Sequence, residues 1–432
     1  MGFDGVHTDV VCPFCGCLCD DIEVAVEGGV IKDIKNGCAI SRSKFLNNHL
    51  NKVQSPIVDG VEVSYQEAID VAAQILEKSK RPVIYGLSKT DNEAIRVAIN
   101  LTEVVGGVLD NTTSVCHGAS IIALQHVGSP TMTLGEVKNR ADLIIFWGSN
   151  PLEAHPRHAA RYSVFPKGLF TPNGRKGRHV VVVDVRETRS AKMADKFIQI
   201  DPDADFDVFQ ILRALLRGVN IKKDEVGGVK VEVLRSLVEM MKTAKVGCIF
   251  YGLGLNHGSS RHLNIVALYS FVEELNRYTK FAVSPMRGCY NVNGANNVAT
   301  WQTGYPFALD MSRGYPRYNP GEYTMVDLLA REEVDSALVL GSDPCSSLPV
   351  NAAKNLARIP VITLERKVTP TTMISKVVIP VATSGVESEG TAYRMDGVPL
   401  RMSKVVEPLE NARSDSKVLE DIIKAIEIRR GV

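Results

Sequence analysis

Near-continuous apolar runs of strand length recur between helical stretches along this chain, and most run straight into a glycine-bearing loop. The clearest are RPVIYGL, ADLIIFWGSN, RHVVVVDVRET, KVGCIFYGLG, DSALVLGSDP and IPVITLER. A strand apolar on both faces belongs in a parallel sheet covered by helices on either side, which makes the body of the chain α/β. The intervening YQEAIDVAAQILEKSK and TDNEAIRVAINLTEVVGG carry helical spacing of apolar residues, the second with a Thr/Asp cap and closing glycines. In open α/β sheets ligands bind beyond the carboxyl ends of strands, where glycine lets backbone N–H groups approach an anion. This puts forward Gly148, Ser149 and Asn150 in WGSNP, Gly252, Gly254 and His257 in YGLGLNHG, Gly341, Ser342 and Asp343 in LGSDP, and Asp184 with Arg186 at the strand end VVVVDVRET. Any one such loop is also what a plain strand-to-helix turn looks like. Together they suggest a large nucleotide-bearing cofactor held across two related halves.

At 432 residues there is room for two or three cores. A net charge of +1 with 23% charged residues gives no electrostatic reason to expect nucleic acid or a membrane surface as partner. No apolar stretch reaches the length of a bilayer span, and MGFDGVHTDVVCPFCG lacks the features of a secretory leader, so a cytoplasmic protein is expected.

Five of the nine cysteines crowd into the first 38 residues, unlike the spread of a secreted disulfide framework. In CPFCGCLCD, Cys12, Cys15 and Cys19 are spaced so that a turn brings three thiolates to one cluster, with Cys38 as a distant fourth ligand. Structural zinc is the competitor, but it prefers two separate CxxC pairs. Cys17 reads as a bystander. The following DIEVAVEGGVIKDIKNG reads as a hairpin turning at Gly28-Gly29.

Cys116-His117 lies in NTTSVCHGASIIALQ, a polar loop opening an apolar helix. A helix N-terminus favours the thiolate, a soft metal ligand, and the adjacent imidazole titrates near neutrality. His155, His158 and His257 lie beside the glycine loops and read as phosphate contacts or packing.

Taken in order, these residues resemble the molybdopterin oxidoreductase superfamily and, within it, the formate dehydrogenase group. The resemblance covers nearly the whole chain. It implies two doubly wound α/β domains that bind pterin, residues 58–112 with 281–383 and residues 113–280, plus an N-terminal [4Fe-4S] domain, residues 1–57, joined by the segment 384–432. It implies two molybdopterin guanine dinucleotides and a tungsten or molybdenum ion ligated by Cys116. MRGCYNVNGANN is similar to the stretch carrying the family's active-site arginine, here Arg287. VVIPVATSGVESEGTAYRMDGVPLRM resembles a further signature of the superfamily.

CPFCGCLCDDI with CAISRSKF is similar to the catalytic subunits of the formylmethanofuran dehydrogenases. That likeness implies reversible reduction of CO2 to formate in the first step of methanogenesis, with Cys116, His117 and Arg287 in catalytic roles. It also implies partners: a small β-barrel subunit completing the pterin site, since Val432 is reached without a barrel, a metallo-hydrolase-like formyl-transferring subunit, and iron–sulfur electron-transfer subunits. The lysine that formate dehydrogenases place two residues after the fourth cysteine is replaced by Ile40, leaving Arg42 or Lys44 for its place. A formate dehydrogenase with another electron partner and a metal-free scaffold are the alternatives. The charged C-terminal helix around VLEDIIKAIEIRRG is expected to be a solvated face or a docking surface for the barrel.

Overall fold

The computed structural model describes residues 3–431. Two compact units make up the chain: one comprises residues up to Val115, Cys289–Arg394 and residues from Pro399 on, and the other comprises Cys116–Gly288 with Met395–Val398.

The Cys116–Gly288 unit is built on five parallel strands in the order Lys196–Gln199, His179–Asp184, Leu143–Trp147, Val246–Tyr251, Lys280–Pro285. The run HVVVVD shows why these residues choose a strand: β-branched side chains fit the pleat, and Val180 through Val183 are all buried. The sheet starts at Leu143–Trp147, winds outward to one edge, then returns to its other side at Val246–Tyr251. That reversal is a topological switch point. Helices Asp205–Leu216, Val231–Thr243 and His262–Leu275 cover the sheet and bury Leu212, Leu237 and Phe271 against Ile145, Val183 and Ile249. Trp147 stacks on Phe209 at 4.3 Å between ring centroids, and its Nε1 donates to Asp205 at 2.7 Å.

The other unit holds a nine-stranded sheet. Its centre is parallel, in the order Val108–Asn111, Pro82–Gly86, Ser336–Leu340, Val361–Leu364, Val377–Ile379, and antiparallel pieces extend both edges. Its chain order also reverses, between Pro82–Gly86 and Ser336–Leu340. The hairpin Ile57–Val58 and Val61–Glu62 joins this sheet at one edge. The cysteine-rich head forms a separate antiparallel sheet of Gly5–Val10, Ile22–Glu27 and Val30–Lys35, with the expected hairpin turning at Gly28 and Gly29, both at positive φ.

A buried network ties the head to the VESEGT segment. Lys52 pairs with Glu387, Asn48 donates to Glu387 at 3.0 Å, and the Thr383 N–H donates to the other Glu387 oxygen at 2.9 Å. The C-terminal helix Asp415–Arg430 corrects one expectation. It is not simply a solvated face, because Val418, Leu419, Ile422 and Ile426 are buried in the core with Ala72, Ile95 and Ala98. Its exposed residues carry the charge, as an amphipathic helix requires.

Candidate active site

At the switch point of the Cys116–Gly288 unit, the loops after Trp147 and Tyr251 lie back to back. Gly254 N–H donates to Gly148 O at 3.2 Å, and a Cβ on Gly252 would sit 2.4 Å from the same oxygen. These glycines therefore serve the close approach of the two loops. Ser149 is buried, with its hydroxyl 3.0 Å from Met286 Sδ, and Asn150 accepts from Ser190 at 2.5 Å. Asp184 stands half-buried at the end of the neighbouring strand, where dinucleotide folds place a ribose-binding acid. Its carboxyl is raised above the usual range by burial. Arg186 beside it is exposed.

The three catalytic candidates, adjacent Cys116 and His117 and distant Arg287, meet in this unit. His117 is the N-cap residue of helix Gly118–Val127, and its Nδ1 lies 3.0 Å from Cys116 Sγ. Arg287 follows strand Lys280–Pro285, and its buried guanidinium is within electrostatic reach of Cys116, His117, Tyr251 and Tyr269. His257 Nε2 reaches Cys116 O at 3.2 Å, so this histidine braces the cysteine's main chain. His155, left between two readings in the sequence, is buried with Nε2 at 2.8 Å from Arg287 O. His158 belongs to the core: it packs edge-on against Phe250 at 4.5 Å, and burial pushes its pKa down to about 3.

Burial, with Arg287 and then His257 and His155 adding to it, holds His117 well below the usual imidazole range. It is therefore a neutral ring at pH 7. Burial likewise lowers His155. Three nitrogens of this cluster are buried without any hydrogen-bond partner: His117 Nε2, His155 Nδ1 and Arg287 Nε. Unmet buried polar atoms are costly unless a ligand satisfies them. A soft thiolate, two imidazoles and a guanidinium with unmet donors and acceptors fit a soft metal centre beside a small carboxylate.

The other unit repeats the arrangement. At its switch point Gly86, at φ +118°, has its α-hydrogen face against Leu340 O, where a Cβ would lie 2.0 Å away; Gly341 packs on Lys89. Ser342 is buried. Asp343 serves a local role, accepting from the Thr371 N–H at 3.1 Å and from Ser346 at 2.5 Å. The facing loop Ser88-Lys89-Thr90 was missed as a candidate in the sequence, where only Thr90 was noted, as part of a helix cap. Its position after RPVIYG was the available signal.

In the head, the Cys12 N–H donates to Cys19 O at 2.9 Å and the Leu18 N–H to Cys15 O at 3.1 Å, closing the turn that gathers the thiols. Cys12 lies within electrostatic reach of Cys15 and Cys19, and its thiol is pushed up by burial. Cys38 caps helix Ala39–Leu46, accepting from the Ser41 N–H at 3.5 Å, while the Ser41 side chain faces Cys12. Cys17 is wholly buried, and its thiol lies close enough to Cys15 to lower that thiol. Among the described residues no three His, Cys, Asp or Glu side chains close on a point as ligands of a single ion would. A multinuclear cluster presents separate irons, so thiolates surround it rather than converge, and buried sulfurs gathered on one turn fit that group. Arg42 is turned to Ile34 O at 2.6 Å and Asp33 at 3.1 Å, and Lys44 is exposed.

Two doubly wound sheets with glycine loops at their switch points, a thiol-rich head and a Cys–His–Arg cluster are the features of a cofactor-dependent redox enzyme. The molybdopterin oxidoreductase family profile matches residues 54–425, and the chain belongs to that family. It is 46% identical over 428 residues to a subunit of the tungsten-containing formylmethanofuran dehydrogenase 2 of Methanocaldococcus jannaschii, covering 98% of each chain. In fold it is similar to a chain of the formyltransferase/hydrolase complex of Methylorubrum extorquens, with a TM-score of 0.71 at 22% identity, covering 87% of this chain and 99% of that one. Acetylene hydratase from Pelobacter acetylenicus gives a TM-score of 0.73 at 14% identity, covering 98% and 70%. Among the described residues no helix is long and apolar enough to cross a membrane.

Proposed function

We propose that this chain is the catalytic subunit of a formylmethanofuran dehydrogenase that reversibly reduces CO2 to formate. The observation that carries the reading is the meeting of half-buried Cys116 with buried His117 and Arg287 in one cluster with unmet polar nitrogens, in a chain 46% identical to a tungsten-containing relative of that name. Cys116 would hold tungsten or molybdenum together with two molybdopterin guanine dinucleotides, which supply two-electron chemistry when bound. The switch-point loops Gly148–Asn150, Gly252–His257 and Gly341–Asp343, with Asp184 and Arg186, would hold the dinucleotides. Cys12, Cys15, Cys19 and Cys38 would hold a [4Fe-4S] cluster; such clusters reach potentials as low as about −700 mV, low enough for a demanding reduction.

The protein's own contribution is positional and electrostatic. Arg287 presents a planar fork matching the two oxygens of a carboxylate, and its burial strengthens that attraction. His155 fixes the main chain of Arg287. Neutral His117, oriented by the sulfur contact at Nδ1, offers Nε2 to hold a proton beside the substrate. The buried surroundings exclude competing water.

Partners follow from the same reading: a β-barrel subunit over the pterins, a metallo-hydrolase-like subunit that transfers the formyl group, and iron–sulfur subunits that deliver electrons. The test is purification of the native complex, followed by elemental analysis and assay of formate oxidation with a low-potential dye. Tungsten or molybdenum with iron, and formate-dependent dye reduction, are expected. A complex holding iron and neither heavier metal, or one inert to formate and CO2, overturns the reading.

A further inference from the structure

The cluster just described leaves a line of buried hydroxyls unused. Tyr251 closes its strand fully buried, its ring centroid 6.5 Å from that of His117. Its hydroxyl lies 2.5 Å from that of Tyr269, on helix His262–Leu275. The side chain of Ser129, a half-buried residue just past the glycine that ends helix Gly118–Val127, lies close enough to Tyr269 to bear on its titration. At the inner end the Ser120 side chain lies close enough to Tyr251 to bear on its titration; Ser120 donates to Asn256 Oδ1 at 2.7 Å, and the Asn256 amide is tied to Gly252 O at 3.0 Å. Arg287 is within electrostatic reach of both tyrosines. The line thus begins beside the two groups that face the substrate and ends where the chain meets solvent.

Phenylalanine would fill the same core volume with no polar atom to satisfy, so two touching buried phenols need a reason. Each hydroxyl is one donor and two acceptors, so a row of them can reverse its direction by O–H rotation alone. The phenols are held protonated by burial, which raises both.

We propose that Tyr251, Tyr269 and Ser129 form the proton path between the Arg287–His117 pocket and the surface. The proposal rests on the CO2/formate reading for its substrate. Reduction of CO2 forms one C–H bond and takes up two electrons, supplied by two equivalents of a low-potential one-electron carrier, and one proton, which enters through Ser129. Oxidation of formate breaks that bond, returns the electrons to the carrier and sends the proton outward. No hydroxyl changes its net ionisation, since each accepts one proton while donating another.

The test uses the holo complex carrying Tyr269→Phe, which keeps the ring and removes the middle link, and Ser129→Ala, which removes the mouth. Reduction by pre-reduced methyl viologen, a one-electron carrier that releases no proton on oxidation, in weakly buffered solution with a pH indicator reads proton uptake directly. Uptake in Tyr269→Phe is expected to slow about tenfold or more. In formate oxidation the variant's solvent isotope effect should rise while the effect of deuterated formate falls toward unity, because proton transfer replaces C–H cleavage as the slow step. Tungsten or molybdenum and iron contents should match wild type, and the double variant should be no slower than Tyr269→Phe. Unchanged uptake and isotope effects overturn the path. So does a slower enzyme with wild-type isotope effects, which marks a packing defect, and so do additive losses in the double variant. A wild-type complex inert to CO2 and formate sinks the substrate reading instead, and the uptake measurement still decides the path.

Discussion

His155 Nε2 hydrogen-bonds the main-chain oxygen of Arg287 at 2.8 Å, with both residues buried. A residue from the loop after one central strand thereby fixes the loop after an edge strand of the same sheet. With the ring neutral, Nε2–H donates, and the Arg287 side chain starts from a fixed main chain. His155→Ala should raise the KM for formate about tenfold with a smaller fall in kcat, since misplacement of a binding group is felt first in substrate capture. His155→Gln, whose amide can donate to the same oxygen, should recover most of the loss. Equal KM values in the two variants would exclude the positioning role.

Arg287→Lys tests the carboxylate fork. Lysine keeps the charge but offers a point donor, so kcat/KM for formate should fall about a hundredfold or more. Metal content should be unaffected, because Arg287 is not placed as a ligand. Elemental analysis beside steady-state kinetics checks both halves.

How much of this was legible in the sequence varies with the distance over which the signal acts. Strands such as Val180–Val183 and Ile249–Tyr251 announce themselves because a doubly covered strand is apolar at every position. Cys116-His117 was visible because its two members are adjacent. Arg287 was not visible from its own neighbours; only the likeness of MRGCYNVNGANN to a known stretch marked it. The Tyr251–Tyr269 pair was invisible, since both residues look like ordinary core aromatics until helix and strand are packed together. The closeness of Cys17 to Cys15 was invisible for a similar reason, since it depends on the tight turn at Leu18, whose φ is +37°.

Two substitutions should separate the two inorganic centres proposed above. Cys116→Ser replaces a soft ligand with a hard one and should remove most tungsten or molybdenum while leaving iron near the wild-type level. Cys12→Ala should reduce iron and abolish the cluster's low-temperature paramagnetic signal. Loss of both elements together in Cys116→Ser would mean that its effect is global unfolding, which a melting curve reports.

Asp415 and Asp91 make folding stability sensitive to pH. Burial first, and then the neighbouring Asp91, raises Asp415 to about 7, while burial raises Asp91 to about 6. Thr90 donates to one Asp415 oxygen at 2.6 Å, and the other oxygen is buried without a partner. A carboxyl whose pKa is higher in the folded chain than its ordinary 3.8 binds its proton more tightly when folded. Its contribution to stability is complete below about pH 4 and is lost as pH rises through 7. The melting temperature should therefore fall between pH 5 and 8 more steeply in wild type than in Asp415→Asn. The amide keeps the bond from Thr90 and carries no charge. Parallel curves for the two proteins would contradict the assignment.

Gly252 offers a steric test of the switch-point crevice. Its backbone is in the extended region, so alanine there meets no torsional strain, yet the added Cβ would lie 2.4 Å from Gly148 O and 2.9 Å from Ser149 Cα. Both neighbours are backbone and cannot swing aside, so the two loops must part. Overpacking of this kind costs about 1–3 kcal/mol. Gly254→Ala, whose Cβ would stand 3.0 Å from Gly148 Cα, should show a smaller loss of the same kind. Gly135→Ala is the control: its nearest contact is 3.7 Å, and it lies in helix Leu134–Arg140, where alanine is favoured. Melting temperatures should fall in the order Gly135→Ala, Gly254→Ala, Gly252→Ala. Pterin content should fall with them, because the displaced loops are those placed around the dinucleotide. A Gly252→Ala protein with wild-type stability and full pterin would show that the two loops are not held as closely as their 3.2 Å hydrogen bond requires.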